Sequence, residues 1–257
     1  METMGRQKFT ELGEKEREQY NEGLKRDGYD RFFSHCRYYY IQKREKLIKE
    51  KMQFAHGKKF LEIGSATWGS WLVHNSIIPC SLTCINISEV ELQHGIDSAI
   101  DSKTRPQFIH MDAHDLQFDN ETFDMVFGAA ILHHLNMVPA LDEIFRVLKP
   151  EGKILFVEPL DMNPVGKLVR SLTKKARTED EQPLRVCDIA EIKKRFHTQF
   201  FYEELLSVPF GVVSRMLFQN GSNPLMRFAF SMDQFLDRNF EWTRNYFRHV
   251  LIDGKRK

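Results

Sequence analysis

Several short stretches of this 257-residue chain hold residues that could do chemistry. In Phe60-Leu61-Glu62-Ile63-Gly64-Ser65-Ala66-Thr67-Trp68-Gly69 an apolar run carrying one acid enters a glycine turn and then a helix start. A turn of this kind lets backbone N–H groups and a helix N-terminus approach a ligand closely. Gly64 and Gly69 are present, but Ala66 stands where a third glycine would be, and Trp68 takes a glycine's place on the tighter spacing. Asn86, Asp112 and Gly128 close, or nearly close, further apolar runs. The adjacent His133-His134 and the later Glu158 offer general bases, and an imidazole is the side chain whose charge changes nearest neutral pH.

To work together, these residues must sit at strand ends that share one side of a sheet. Phe60–Ile63, Ser81–Ile87, Pro106–Met111, Phe123–Ala129 and Lys153–Val157 read as five strands. Helical patterns lie between them: Ser70–Asn75, Ser88 to about Ile100, and Pro139–Leu148, with Ser88 and Glu91 spaced as a capping box. The alternation predicts a doubly wound, mostly parallel sheet covered by helices on both faces. Ligands of such sheets bind outside the carboxyl ends of the strands. There the end of the second strand can hydrogen-bond a ribose. The side chain after the third can accept from an adenine amino group, and Gly128 lets a carbonyl approach a charged ligand. The order suits an adenosine.

The flanks read differently. Residues 1–28 form a polar arm, and Tyr29–Met52 reads as a helix with Tyr29, Phe32, Phe33, Cys36 and Tyr40 on one stripe. Residues 160–186 read as a lid insertion, its basic side chains including Lys167, Arg170 and Arg185; the preferred reading is a solvated face. Asp188–Phe196 reads as a helix, and Gln199–Leu205 and Arg248–Asp253 as two more strands. Residues 208–240 form an aromatic helical cap whose apolar side chains serve as core, as a dimer contact, or as a wall against a lipid-linked ligand or membrane. The basic tail Gly254-Lys255-Arg256-Lys257 reads as a solvated terminus.

Composition narrows the classes. Lysine and arginine number 37 against 36 acids, a net charge of +1, so no basic field calls for nucleic acid. The four cysteines form no CxxC pair, which disfavours a zinc site or disulfide framework. His110 and His114 fall on a strand end and a loop, so no metal site is expected. No signal-like or membrane-spanning apolar run is visible, and a cytoplasmic location is the expectation.

From Phe60 to Leu160 the chain resembles class I S-adenosylmethionine-dependent methyltransferases of the small-molecule, ubiquinone-biosynthesis type. The resemblance rests on FLEIGSATWG, LTCINIS, MDAHDLQFDNETFDMVFGAAILHHL and FRVLKPEGKILFVEPL, in that order and spacing. It implies a seven-stranded Rossmann-like sheet of order 3-2-1-4-5-7-6, the seventh strand antiparallel. It divides the chain into an arm and helix (1–57) covering the cofactor and a core (58–257). The cofactor implied is S-adenosylmethionine. Gly64, Ser65 and Ala66 would pass its methionine part, with Glu62 orienting the loop. Asn86 would take the ribose, where the family usually has an acid. Ile87 would pack on adenine, Asp112 would accept from its amino group, and the Ala113 N–H would donate to its ring. Gly128 and Ala129 would flank the sulfonium. Tyr29 and Arg37 of the N-terminal helix would close over the cofactor, Arg37 pairing its carboxylate. His133, His134 and Glu158 are the catalytic candidates. The expected acceptor is a small or lipid-linked metabolite, methylated at oxygen, nitrogen or carbon. No Asp/Asn-Pro-Pro-Tyr/Phe or Pro-Cys follows the fourth strand, which disfavours nucleic-acid bases. Two alternatives stand beside this reading: a non-catalytic cofactor-fold binding protein, and a nicotinamide-dependent oxidoreductase. The second meets its GxGxxG loop only in part and lacks an acid at position 86.

Overall fold

A computed structural model describes residues 9–22, 33–64, 77–99, 106–172 and 182–257. Seven strands form one sheet: β1 (Lys59–Ile63), β2 (Ser81–Asn86), β3 (Gln107–His110), β4 (Phe123–Ala129), β5 (Leu148–Pro159), β6 (Phe196–Glu203) and β7 (His249–Arg256). Their order is β3-β2-β1-β4-β5-β7-β6, with β7 antiparallel to both neighbours and the other pairs parallel. The predicted order and hand of pairing are those observed.

Alternation along each strand builds two cores, because successive side chains leave a strand on opposite faces. Leu61, Val126, Ile154, Phe156 and Ile252 point to one face, where helices α4 (Met137–Val147) and α6 (Val186–Arg195) cover them. Phe60, Met125, Phe127, Leu155 and Leu251 point to the other, beneath Ile48 and Met52 of α2 (Tyr38–Met52). Helix α4 carries Met137, Ala140, Leu141, Ile144 and Val147 on its buried side, an i, i+3, i+4, i+7 stripe. The other α-helices among the described residues are α1 (Glu11–Glu22), α3 (Glu89–Ala99), α5 (Pro164–Leu172), α7 (Ser207–Leu217) and α8 (Pro224–Asn239).

Three expectations change. Helix α2 begins at Tyr38 and buries Ile48 and Met52 in one cluster with Phe60, Met125 and Phe127, and none of its residues lines the cavity at the strand ends. Strand β5 extends back to Leu148, which pairs with Phe123 across an irregularity opposite Met125. The C-terminal tail is sheet rather than a solvated end. Phe196 pairs with Arg256, the Arg256 guanidinium reaches the Leu148 carbonyl, and the Lys257 N–H donates to Arg195 at 3.1 Å.

The cap of α7 and α8 closes on one buried carboxylate. Helix α7 has no capping side chain of its own, and Asp233 of α8 does that work from the neighbouring helix. It accepts from the backbone of Leu205 (3.1 Å), Leu206 (2.6 Å) and Ser207 (3.2 Å), from the Ser207 hydroxyl, and from Tyr40 Oη (2.9 Å). Beneath it Phe33, Cys36, Val169, Val208, Met226 and Ala229 form a third apolar cluster, so the inner face of the cap is core. Replacing Asp233 with alanine strands several buried donors. Chemical denaturation of Asp233→Ala is expected to show a loss of about 3 kcal/mol or more.

Candidate active site

The register of the parallel strands puts their ends level: Ile63 pairs with Ile85 and Gly128, and Asn86 with His110. A cavity of about 360 Å³ opens there, within the range of small-ligand sites. Of the residues singled out in the sequence, Gly64, Asn86, Ile87, Asp112, Ala113, Ala129 and His134 line it.

Gly64 sits at φ +70°, a conformation that favours glycine, and its N–H donates to the Ile85 carbonyl at 2.9 Å. A Cβ there would stand 2.7 Å from Ile131 Cδ1. Gly128 does the same job from the next strand: its Cβ would meet Ile131 Cγ2 at 2.5 Å and Phe156. Both glycines make room for Ile131, and Gly128 is not itself a wall of the cavity, contrary to expectation. Glu62 is likewise buried within β1, not in the cavity wall, where it accepts from the Cys84 thiol at 3.8 Å.

The backbone that follows β4 is fixed by Glu158, which is fully buried. Its Oε1 accepts from the N–H groups of Ile131 (3.0 Å) and Leu132 (2.9 Å), and its Oε2 holds His133 Nδ1 at 2.8 Å. Glu158 is therefore an anchor and not a group that reaches an acceptor. His133 goes with it: its ring lines a second cavity behind the turn, beside Arg185 and Asp188. The two rings lie against each other, centroids 4.1 Å apart, and His134 lines both cavities while His133 lines only the second.

Asp112 is also used differently from expectation. A carboxylate offers about four acceptor sites. Oδ1 takes the His114 N–H (2.9 Å) and His114 Nδ1 (2.6 Å); Oδ2 takes the Thr10 N–H (3.1 Å) and hydroxyl (2.8 Å). The Asn136 N–H donates to His114 Nε2, which makes Nδ1 the donor to Asp112. Burial pushes the Asp112 carboxyl up, but the bonds from His114 and Thr10 outweigh it and hold the group well below the usual carboxylate range. With those sites filled, Asp112 has no acceptor left for an adenine amino group. It pins α1 instead.

Helix α1 is the roof of the cavity, supplying Gly13, Glu16 and Tyr20. A Cβ on Gly13 would stand 2.6 Å from Asp112 Oδ2 and 2.8 Å from Ile87 Cδ1, so glycine permits the close approach. At the far end Asn21 bridges the Ser88 hydroxyl (2.7 Å) and Glu89 (3.1 Å). This segment was read as a polar arm because ELGEKEREQYNE carries no apolar stripe. The signal it does carry is polar: Gly13, Glu16 and Tyr20 recur at three- and four-residue spacing, one helix face. Arg37 is not with them. It precedes α2, next to Cys36 on the cap side, and is not in the cavity wall. Tyr29, Ser65 and Ala66, with Trp68, lie outside the described residues.

The donors and walls that remain suit a nucleoside. Ile87 and Met111 are apolar faces, and among the described residues nothing accepts the Ala113 N–H. Asn86 spends its Oδ1 on the Ser88 N–H at 2.9 Å, and its amide is uncharged where a carboxylate would not be.

Comparison with known proteins agrees with this geometry. Residues 61–156 match the family described as "Methyltransferase domain". The chain is 28% identical over 120 residues to a glycine/sarcosine/dimethylglycine N-methyltransferase of Actinopolyspora halophila, covering 46% of this chain and 21% of that protein. It is 30% identical over 131 residues to a demethylmenaquinone methyltransferase of Staphylococcus epidermidis, covering 49% and 54%. The chain thus spans at most about half the length of these curated relatives. Among solved structures, geranyl diphosphate C-methyltransferase from Streptomyces coelicolor, in complex with S-adenosyl-L-homocysteine, superposes with a TM-score of 0.56 at 12% identity, covering 84% of this chain and 79% of that one. At that identity the likeness is one of fold.

Glu158→Ala leaves two backbone donors and His133 without their buried acceptor. The expected cost is about 3–5 kcal/mol by denaturant titration, and Glu158→Gln, which keeps one acceptor, should cost less. A surface-like loss below 0.5 kcal/mol in the alanine variant would show that the anchor is dispensable.

Proposed function

Because the core of this chain is a class I S-adenosylmethionine-dependent methyltransferase domain, we propose that it transfers a methyl group from that cofactor to a small-molecule or lipid-linked acceptor. One observation carries the proposal: the cavity at the carboxyl ends of β1–β4 has nucleoside-sized room and two imidazoles in its wall, His114, whose ring nitrogens are taken by Asp112 and the Asn136 N–H, and His134, which faces α1. The cofactor, when bound, supplies a methyl group already activated by a positive sulfur, and the protein supplies position and a base. Ile87 and the Ala113 N–H would hold the base, Asn86 the ribose, and the backbone at Gly64 and Ala129 the methionine end. His134 would take the proton of a hydroxyl, amine or carbon acid as it is methylated.

A lipid-linked acceptor, met at a membrane surface, is the finer part of the proposal. It is supported by the outer face of the cap, where Met216 (81% exposed), Leu217 (67%) and Phe228 (55%) are uncovered, with Leu168 on the adjoining α5. Arg227, exposed and next to Phe228 in the chain, adds a cation that could meet an anionic headgroup. No described helix is long and apolar enough to cross a membrane. A cytoplasmic location belongs to the proposal too, supported by cysteines that form no disulfide.

Calorimetry with S-adenosylmethionine and S-adenosylhomocysteine is the first test. Binding is expected, and none at millimolar cofactor would leave the non-catalytic reading; a stabilising thermal shift with NADH in its place would favour the oxidoreductase. Labelled-methyl transfer to glycine and sarcosine, as amines, and to a prenylated naphthohydroquinone then separates acceptor classes. Cosedimentation with anionic vesicles, lost in Met216→Ser/Leu217→Ser, is the expected outcome for the membrane face. Concentration-dependent dimerisation lost in the same variant would assign that face to self-association instead.

A further inference from the structure

Helix α1 brings two ionisable side chains to His134, the cavity imidazole whose ring nitrogens are not taken by Asp112 and Asn136 as those of His114 are. His134 Nδ1 lies 3.3 Å from Glu16 Oε1, and His134 Nε2 lies 3.0 Å from Tyr20 Oη. Glu16 and His134 are buried, and all three line the same cavity. A carboxylate only accepts, so Nδ1 must carry the proton it shares with Glu16, and the bare Nε2 accepts the Tyr20 O–H. The neighbouring His133 shows the contrast. Its Nδ1 is held by a carboxylate in the same way, but it does not line this cavity, its ring lies against His134 with centroids 4.1 Å apart, and the carboxylate comes from β5.

We infer that Glu16, His134 and Tyr20 form a proton relay, and that the base of this site is complete only when α1 is seated. The inference rests on the methyl-transfer reading above. In the step it serves, the bond from the acceptor atom to the methyl carbon forms as the carbon–sulfur bond breaks, its electron pair going to sulfur. The proton leaving the acceptor passes to Tyr20 Oη, while the phenolic proton passes to His134 Nε2. Glu16 stabilises the imidazolium, which then releases one proton to solvent. Tyr20 is the member that meets the acceptor; Glu16 is a positioning residue that acts through the ring. The Thr10–Asp112 bonds and the Asn21 bridge set where both stand, since Glu16 and Tyr20 lie between them on one helix. Coupling the base to the roof has a chemical consequence: with α1 lifted, the site is open to solvent and lacks two of its three relay members.

The test is long-range 1H–15N correlation of the histidine rings at pH 8, with S-adenosylhomocysteine saturating and amide protection of α1 measured alongside. Native His134 is expected in the Nδ1–H form. Glu16→Ala should lower the ratio of Nδ1–H to Nε2–H tautomer about tenfold or more, whereas Glu16→Gln, whose amide oxygen still accepts, should largely keep it. Tyr20→Phe should move the Nε2 resonance and leave the tautomer as it is. With whichever acceptor turns over, Glu16→Gln and Tyr20→Phe should each lower kcat about 10²-fold with cofactor affinity unchanged. An unchanged His134 tautomer in Glu16→Ala while α1 stays protected would overturn the relay, as would full kcat in Tyr20→Phe. Failure of the native protein to bind S-adenosylhomocysteine would instead overturn the methyl-transfer reading. The two failures have separate signatures.

Discussion

The fully buried carboxylate of Glu158 is the interaction on which the site depends. A carboxyl group in an apolar interior is costly unless hydrogen bonds compensate its burial. Glu158 meets that condition by taking two backbone N–H groups of the β4 loop and the ring of His133. Those bonds set the path of residues 131–133. Ile131 is thereby pressed between Gly64 and Gly128, where no side chain would fit, and the next ring in the chain, His134, is turned into the cavity. One carboxylate on β5 thus separates two adjacent, chemically identical histidines into a support and a candidate base.

The same device recurs at two other places. Asp112 fills its acceptors with His114 and Thr10 and so fastens α1 across the strand ends. Asp233 gathers the N-terminus of α7 and the Tyr40 hydroxyl, fastening the cap to α2. In each case a short acidic side chain satisfies backbone donors from a segment distant in sequence. The apolar cores hold the sheet and its helices together; the buried acids fix the loops and covers whose own sequences are too polar to be positioned by burial.

The sheet was legible to near residue precision where periodicity is strong. Phe123–Ala129 is both the predicted and the observed β4, and α4 keeps its apolar stripe within two residues of the predicted ends. The gathering of Gly64, Asn86, Ile87, Asp112, Ala113 and Ala129 at one cavity followed from the strand order, since parallel strands place their carboxyl ends together. What was not legible is α1, whose residues are charged around the whole helix and carry no burial signal. The tail was not legible for a related reason: Lys255 and Arg256 look solvated, yet they belong to β7, an interior strand paired with both β5 and β6.

The sequence by itself determined which segments alternate as strand and helix, and therefore where a ligand-sized opening must lie. That information is local, because the spacing of apolar residues decides which face of an element is buried. Only the tertiary structure decided what each polar residue in that opening does. Asp112 became an anchor with His114 bound to it, Glu158 a support, His134 a cavity ring facing α1, and Glu16 and Tyr20 its partners. A carboxylate's role depends on which donors reach it, and here they come from positions more than a hundred residues away as often as from neighbours, as with Thr10 and Asp112 or Glu16 and His134.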